Sequence, residues 1–257
     1  MQLVVDVGNT ETVVGLVNGR TELRAHWRIS TAVPRTVDEY RHLLASLLAE
    51  AGPGRPDAAV VGSVVPDATA VLMPTLARLI TGPVHLVRPD TPLSIRLDVE
   101  EPRTVGADRI VNTLAARELY GRDTIAVDLG TATTFDLITA DGTFMGGVIA
   151  PGVSAGLEWL GRRTAKLPRV ELLPPEATIG RRTETCIQSG VFYSVVDAVD
   201  GMVRRIVAEW GRPDPYVVAT GGFAEVIAPY CTTVQHIEPF LTLFGLAIAG
   251  EELGGRD

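Results

Sequence analysis

The stretch Val4-Val5-Asp6-Val7-Gly8-Asn9-Thr10 decides the reading of this 257-residue chain. An apolar run ends on a carboxylate, and a glycine, an amide and a hydroxyl follow close behind. At a strand's end Asp6 can hold a hydrated cation. Gly8 is expected to supply a backbone conformation that other residues resist and to let a phosphate approach the main chain, with Asn9 and Thr10 as donors. Alone, the stretch reads equally well as a hairpin turn, because Gly-Asn is ordinary turn chemistry. The phrase returns near mid-chain as Val127-Asp128-Leu129-Gly130-Thr131-Ala132-Thr133, again closing an apolar run. A turn has no need of an aspartate two residues before its glycine, and here it occurs twice. Two related half-domains facing a phosphate site are the expectation. Thr220-Gly221-Gly222, a third glycine turn after a late apolar run, strengthens the reading of a nucleotide cleft.

Outward from these turns the chain repeats one grammar. Residues 3–7, 12–17 and 22–29 read as three antiparallel strands, with Asn18-Gly19 as a hairpin signal. Residues 36–51 read as an amphipathic helix with Leu43, Leu44, Leu47 and Leu48 on its apolar stripe and a capping box from Thr36 and Glu39. Gly52-Pro53-Gly54 stops it. A strand (58–65), a helix (67–80) and a strand (84–87) imply parallel pairing. Residues 89–102, with three prolines, read as an irregular connector before a helix at 107–120. Strands follow at 124–129, 133–139 and 143–149, with Asp141-Gly142 as a type I′ signal. Next come a helix after Pro151, a long helix at 181–210, a strand at 216–219, a short helix, a strand at 233–237 and a final helix. Three antiparallel strands followed by alternating helices and strands, twice over, describe an α/β fold: a duplicated ribonuclease-H-like core with mixed sheets, divided into halves 1–118 and 119–257.

Composition narrows the function. The formal charge of −8 argues against broad nucleic-acid binding, which needs a basic surface, yet leaves room for a local anion site. Lys166 is the only lysine and no Gly-x-x-x-x-Gly-Lys-Ser/Thr stretch occurs, which excludes a P-loop and leaves Schiff-base chemistry to that one residue. Cys186 and Cys231 form no paired motif, and the four histidines lack zinc spacing. Residues 240–250 are apolar but too few to span a bilayer, and Met1 leads straight into a strand without a basic leader. A cytoplasmic protein, bound neither to membrane nor to nucleic acid, is expected.

Three further stretches carry candidate chemistry. Gly106-Ala107-Asp108-Arg109 opens a helix, where Asp108 could merely complement the helix dipole and Arg109 a surface acid. In the functional reading Asp108 is a general base for a substrate hydroxyl and Arg109 an anion-binding fork. Gly152-Val153-Ser154-Ala155-Gly156 fits a hydrolase nucleophile elbow, with Asp197, Asp200 or Asp214 and His236 downstream. Against it, Pro151 precedes the motif, no His-Gly-Gly stretch occurs, and the paired aspartate turns go unexplained. Small residues that let a helix approach the sheet, or that line a pocket, fit better. In Ile179-Gly180-Arg181-Arg182-Thr183, Thr183 reads as a helix cap or, with Gln188-Ser189-Gly190, as a polar contact to ligand.

In order, these motifs resemble the type III pantothenate kinases: Asp-Val-Gly-Asn-Thr, Gly-Ala-Asp-Arg-Ile, Asp-Leu-Gly-Thr-Ala-Thr-Thr-Phe-Asp, Gly-Gly-x-Ile-x-Pro-Gly, Thr-Ala-Lys-Leu-Pro, Ile-Gly-x-x-Thr, Gln-Ser-Gly and Thr-Gly-Gly. The resemblance implies the acetate/sugar kinase–Hsp70–actin fold, ATP-dependent phosphorylation of pantothenate at the start of coenzyme A synthesis, and a homodimer. It implies that Asp6, Val7, Gly8, Asn9, Thr10, Glu11, Thr12 and Val13 form the ATP-phosphate loop, with Asp6 holding Mg²⁺ through water and Thr131 a further ATP contact. Asp128 matches the monovalent-cation ligand, for K⁺ or NH₄⁺. Gly106, Ala107, Asp108 and Arg109 match pantothenate contacts, Asp108 being the proton acceptor, and Thr183 matches a contact reaching across the dimer. Where family members carry a tyrosine, this chain has Val99, and Glu101 replaces a common asparagine, so one substrate contact is altered. A same-fold kinase for another small hydroxy acid and a catalytically silent regulatory relative are the alternatives.

Overall fold

A computed structural model describes residues 1–52, 54–163 and 167–255. Pro53 of the helix stop, and Thr164, Ala165 and Lys166 of the Thr-Ala-Lys-Leu-Pro stretch, lie outside the described residues. The chain forms two compact units: Met1–Gly121 with Asp141–Phe144 and Leu241–Asp257, and Arg122–Ala140 with Met145–Phe240.

The first unit holds a sheet of β1 (Gln2–Val7), β2 (Glu11–Asn18), β3 (Glu22–Ser30), β4 (Ala58–Ser63) and β5 (Val84–Leu86), in the order β3-β2-β1-β4-β5. The first three strands pair antiparallel, and β1, β4 and β5 run parallel. Leu3, Val5, Val7, Ala59 and Val61 alternate onto one face, against Tyr40 and Leu44 of α1 (Val37–Glu50) and Leu72 and Leu76 of α2 (Pro66–Leu79). The capping box of α1 forms as read: Glu39 N–H donates to the Thr36 hydroxyl at 3.3 Å, and Thr36 N–H to the Glu39 carboxylate at 2.7 Å.

Two more helices belong to this unit, α3 (Ala107–Tyr120) and the C-terminal α7 (Leu241–Gly254). From Leu243 to Gly250 every residue of α7 is buried, as an all-apolar helix requires. A Cβ on Gly245 would fall 2.1 Å from the Val111 carbonyl of α3, and one on Gly250 would overlap Gln2 of β1. Those two close approaches explain why α7, last in sequence, groups with the first strands. A division at residue 118 follows the repeated grammar of the chain, whereas the compact units follow this packing.

The second unit repeats the sheet with β7 (Thr124–Leu129), β8 (Ala132–Ile138), β9 (Thr143–Pro151, which enters this unit at Met145), β10 (Tyr216–Thr220) and β11 (His236–Ile237), in the order β11-β10-β7-β8-β9. β7 and β8 are antiparallel, and β7, β10 and β11 parallel. The 28-residue α5 (Thr183–Trp210) lays Phe192, Val196, Val199, Val203 and Ile206 against Ile125, Val127, Leu129 and Phe135. The spacing of three and four residues keeps them on one helix face. A short α4 (Ala155–Arg163) and α6 (Ala224–Ile227) complete the unit.

Three local readings change. The connector contains a strand, β6 (Arg96–Leu97), that pairs in parallel with Thr143 and Phe144 within the first unit. Two residues paired with a distant partner leave no periodic trace in sequence. The Asp141-Gly142 turn is not type I′: Gly142 takes a positive φ of 83°, but no non-glycine residue among those described does, and type I′ needs both. Finally, β11 is confined to residues 236–237 instead of 233–237. The reason is chemical, because the N–H and hydroxyl groups of Thr232 and Thr233 all donate to the Asp200 carboxylate and are lost to a strand ladder.

Candidate active site

In the first unit, Asp6 ends β1, and Gly8 N–H donates to the Glu11 carbonyl at 3.0 Å to close the turn. Gly8 does not adopt a positive φ, which corrects the conformational role expected of it. Space is the constraint: a Cβ would sit 3.0 Å from the Glu11 carbonyl oxygen. Asn9, Thr10 and Glu11 are exposed, while the side chains of Val7 and Thr12 are buried. The Thr12 hydroxyl is engaged with that of Thr31 at 2.7 Å, and the Glu11 carboxylate with Arg28 at 2.9 Å. The side chains of Glu11 and Thr12 thus have partners within the protein, and Asn9 is exposed beside them.

The start of α3 lies beside this turn. Gly62 of β4 is in register with Asp6, and a Cβ on Gly62 would lie 3.7 Å from the Cβ of Ala107. Sequence reasoning passed over Gly62 as one residue of a buried strand, although a glycine inside an apolar strand often marks such a backbone approach. Asp108, half-buried in the first turn, accepts the Arg109 N–H through Oδ1 at 2.9 Å. That carboxylate folds back over the helix start, where a Cβ on Gly106 would fall 2.4 Å from Oδ1, so any larger residue before Ala107 would push the Asp108 side chain out of this position. Arg109 is half-buried, its guanidinium 4.9 Å above the Phe144 ring.

In the second unit Asp128 is the counterpart of Asp6. Its Oδ1 lies 2.3 Å from where a Cβ of Gly221 would be and 3.4 Å from that of Gly130. Gly221, at a φ of 90°, thus lets its backbone pack closely against this carboxylate and Leu129, while on the Gly130 side there is room for a group at ordinary contact distance from the same oxygen. Thr220 pairs in register with Asp128 from the neighbouring strand, and its hydroxyl is buried without a hydrogen-bond partner among the described residues. A carboxylate, a hydroxyl and nearby carbonyls are hard oxygen donors, which suit a hard cation such as Mg²⁺ or K⁺. Thr131 is exposed on the turn, and its carbonyl abuts Gly152, where a Cβ would come within 1.9 Å of the oxygen. The Gly-x-Ser-x-Gly stretch is accordingly a packing device: Gly152 seats the turn at 130–131, Gly156 meets Val191 of α5, and the His236 ring stacks on Tyr216.

Thr183 is exposed on the first turn of α5 and does not cap it; Thr185 does, its hydroxyl accepting the Arg182 N–H at 3.2 Å. Ser189 donates to the Thr178 carbonyl at 2.6 Å and Gln188 to that of Glu171 at 3.3 Å. Those two side chains hold the segment before α5, a structural use that the ligand reading had not assigned to them.

The model of the type III pantothenate kinase family matches residues 2–205. Type III pantothenate kinases of Pelobacter propionicus and Syntrophotalea carbinolica are 46% and 45% identical to the chain, over 98% and 96% of its length and 99% and 97% of theirs. A ROK family glucokinase from Streptomyces griseus, solved with glucose and AMPPNP, superimposes with a TM-score of 0.58 at 12% identity, over 98% of each chain. That likeness bears on the fold, and it agrees with the duplicated core read from the strands and with the actin-like sugar-kinase fold that the resemblance implies. With a relative nearly half identical from end to end and a family model covering most of its length, the chain belongs to the type III pantothenate kinase family.

Proposed function

We propose that the chain transfers the γ-phosphoryl group of ATP to the primary hydroxyl of pantothenate, giving 4'-phosphopantothenate in the first step of coenzyme A biosynthesis, with Asp108 as proton acceptor. Membership of the family supports the reaction. The observation that supports the residue is the carboxylate folded over Gly106: Oδ1 is fixed by the Arg109 N–H, which orients Oδ2 for the incoming hydroxyl. Phosphoryl transfer passes through a loose transition state, so positioning and charge neutralisation outweigh base strength. Asp108 orients the hydroxyl and accepts its proton, and Gly106, Ala107 and Arg109 line the acid substrate.

In the first unit the main chain of residues 6–13 and the side chains of Asn9 and Thr10 hold ATP phosphates, and in the second Thr131 adds a contact. Asp6, through water, is the residue for Mg²⁺, and Asp128 the one for a monovalent cation. Bound there, the two ions would supply positive charge to the phosphates. We assign a homodimer in which Thr183 reaches the partner's substrate. It is supported by exposed Ile149, Trp159 and Ile179 in the second unit and by an apolar cavity of about 530 Å³ along α4 and α5. The two free cysteines suit the reducing cytoplasm.

A coupled ADP-release assay tests this. Release is expected with pantothenate and not without it, and Asp108→Asn is expected to lower kcat by about 10²–10⁴-fold with the melting temperature unchanged. Release only with a different hydroxy acid would assign the altered Val99 contact to a change of substrate. Undiminished turnover in Asp108→Asn would remove Asp108 from the mechanism.

A further inference from the structure

We infer that the Thr220 hydroxyl is a ligand of the monovalent cation held by Asp128, an inference that rests on the assignment of that cation to Asp128. Thr220 is the last residue of β10 and only 1% exposed. Its Oγ1 has no hydrogen-bond partner among the described residues. Four other buried threonines have partners: Thr12 in Thr31, Thr75 in the Val71 carbonyl, Thr113 in the Arg109 carbonyl and Thr124 in the Arg122 carbonyl. A buried hydroxyl left without a partner destabilises the fold, so one retained at a strand's end calls for an explanation outside the protein's own hydrogen bonds.

Register supplies that explanation. Thr220 and Asp128 are direct partners in a parallel pair, so their side chains leave the sheet on the same face, on strands about 4.8 Å apart. The next residue, Gly221, lacks the Cβ that would collide with Asp128 Oδ1, and Gly130 opens the other side of the same oxygen. The Thr220 hydroxyl is therefore a neutral oxygen on the same face of the sheet as the Asp128 carboxylate, whose Oδ1 has room beside it on the Gly130 side. No group of three or more His, Cys, Asp or Glu side chains able to hold a metal gathers among the described residues, so Asp128 acts without a carboxylate cluster. A single negative charge supplemented by neutral oxygens suits a monovalent ion better than a divalent one, which draws more charged ligands.

Thr220→Val removes the hydroxyl and keeps the shape; Thr220→Ser keeps the hydroxyl. The measurement is the melting temperature of full-length protein with saturating Mg²⁺ and AMPPNP, titrated with KCl against tetramethylammonium chloride at constant ionic strength. Ligand binding to the folded state raises that midpoint in proportion to the logarithm of saturation. Thr220→Val is expected to melt higher than wild type without K⁺, because a methyl group replaces an unpartnered hydroxyl, and yet to need about tenfold more K⁺ for its half-maximal increment. Thr220→Ser is expected to follow wild type. A Thr220→Val titration within twofold of wild type overturns the inference. So does a K⁺ response left intact beside weakened AMPPNP affinity in K⁺-free buffer, which would assign the hydroxyl to the nucleotide. Asp128→Ala separates the two levels. If it too responds normally to K⁺, the cation assignment itself fails; if it alone loses the response, only the role of Thr220 fails.

Discussion

Gly152→Ala is a one-carbon change that tests how the second phosphate turn is held. The backbone at Gly152 is not in the left-handed region, so alanine is conformationally acceptable and only space opposes it. The new Cβ would lie 1.9 Å from the Thr131 carbonyl oxygen and 2.6 Å from that of Gly130. Both obstacles are backbone, which cannot rotate away as a side-chain tip can. Restoring a contact of 3.0 Å, below which real Cβ atoms essentially never approach, takes a movement of about 1 Å at Thr131. A misplacement of that size in a site built on positioning costs about 10²-fold in rate, or about 2.7 kcal/mol of transition-state stabilisation. The assay is steady-state ADP release at saturating pantothenate with ATP varied, beside a thermal melt. Gly156→Ala is the control, because its Cβ would meet Val191 at an ordinary 3.4 Å. The expected result is a kcat/KM for ATP reduced about 10²-fold in Gly152→Ala and changed by less than about threefold in Gly156→Ala. Unchanged kcat/KM in a folded Gly152→Ala would refute the argument that this glycine seats the turn, and with it the place of Thr131 in ATP binding.

Other expectations concern the frame. Asp200 is buried, which alone would raise its pKa, but donations from the hydroxyls and N–H groups of Thr232 and Thr233 hold it below the usual aspartate range. A carboxylate depressed by folding stabilises the protein above its unfolded pKa of about 4, and that stability is lost as pH falls through the lower folded value. Asp200→Asn offers one carbonyl to two facing backbone N–H groups. It should cost about 2–4 kcal/mol and lower the melting temperature by about 5–10 °C at pH 7, the gap closing as pH falls below the usual aspartate range. A gap that is absent, or constant with pH, would contradict the anchoring role. Burial first, then Asp200 and Asp197, push the Cys231 thiol up to about 12, whereas Cys186 is exposed. Iodoacetamide at pH 8 should add one adduct to native protein and two in denaturant, counted by mass spectrometry; two native adducts would contradict this burial.

What the sequence determined by itself was the class and its repetition. Apolar strands closing on Asp6 and Asp128, the capping box at Thr36 and the glycine turns are local patterns, and local patterns survive in one dimension because strand and helix periods and turn chemistry act over a few residues. They sufficed for the duplicated core, for the family and for the aspartates to which we assign the chemistry. The tertiary structure decided what depends on residues distant in the chain. Gly8 proved to be constrained by space and not by φ, Gly152 faces the turn at 130–131 instead of presenting a nucleophile, and Asp200 cuts β11 short by drawing off the donors of Thr232 and Thr233. The C-terminal helix α7 packs with the first strands because Gly245 and Gly250 admit α3 and β1. Thr220 meets Asp128 through strand register alone. Steric exclusion and hydrogen-bond satisfaction act between neighbours in space, and a linear chain does not state who those neighbours are.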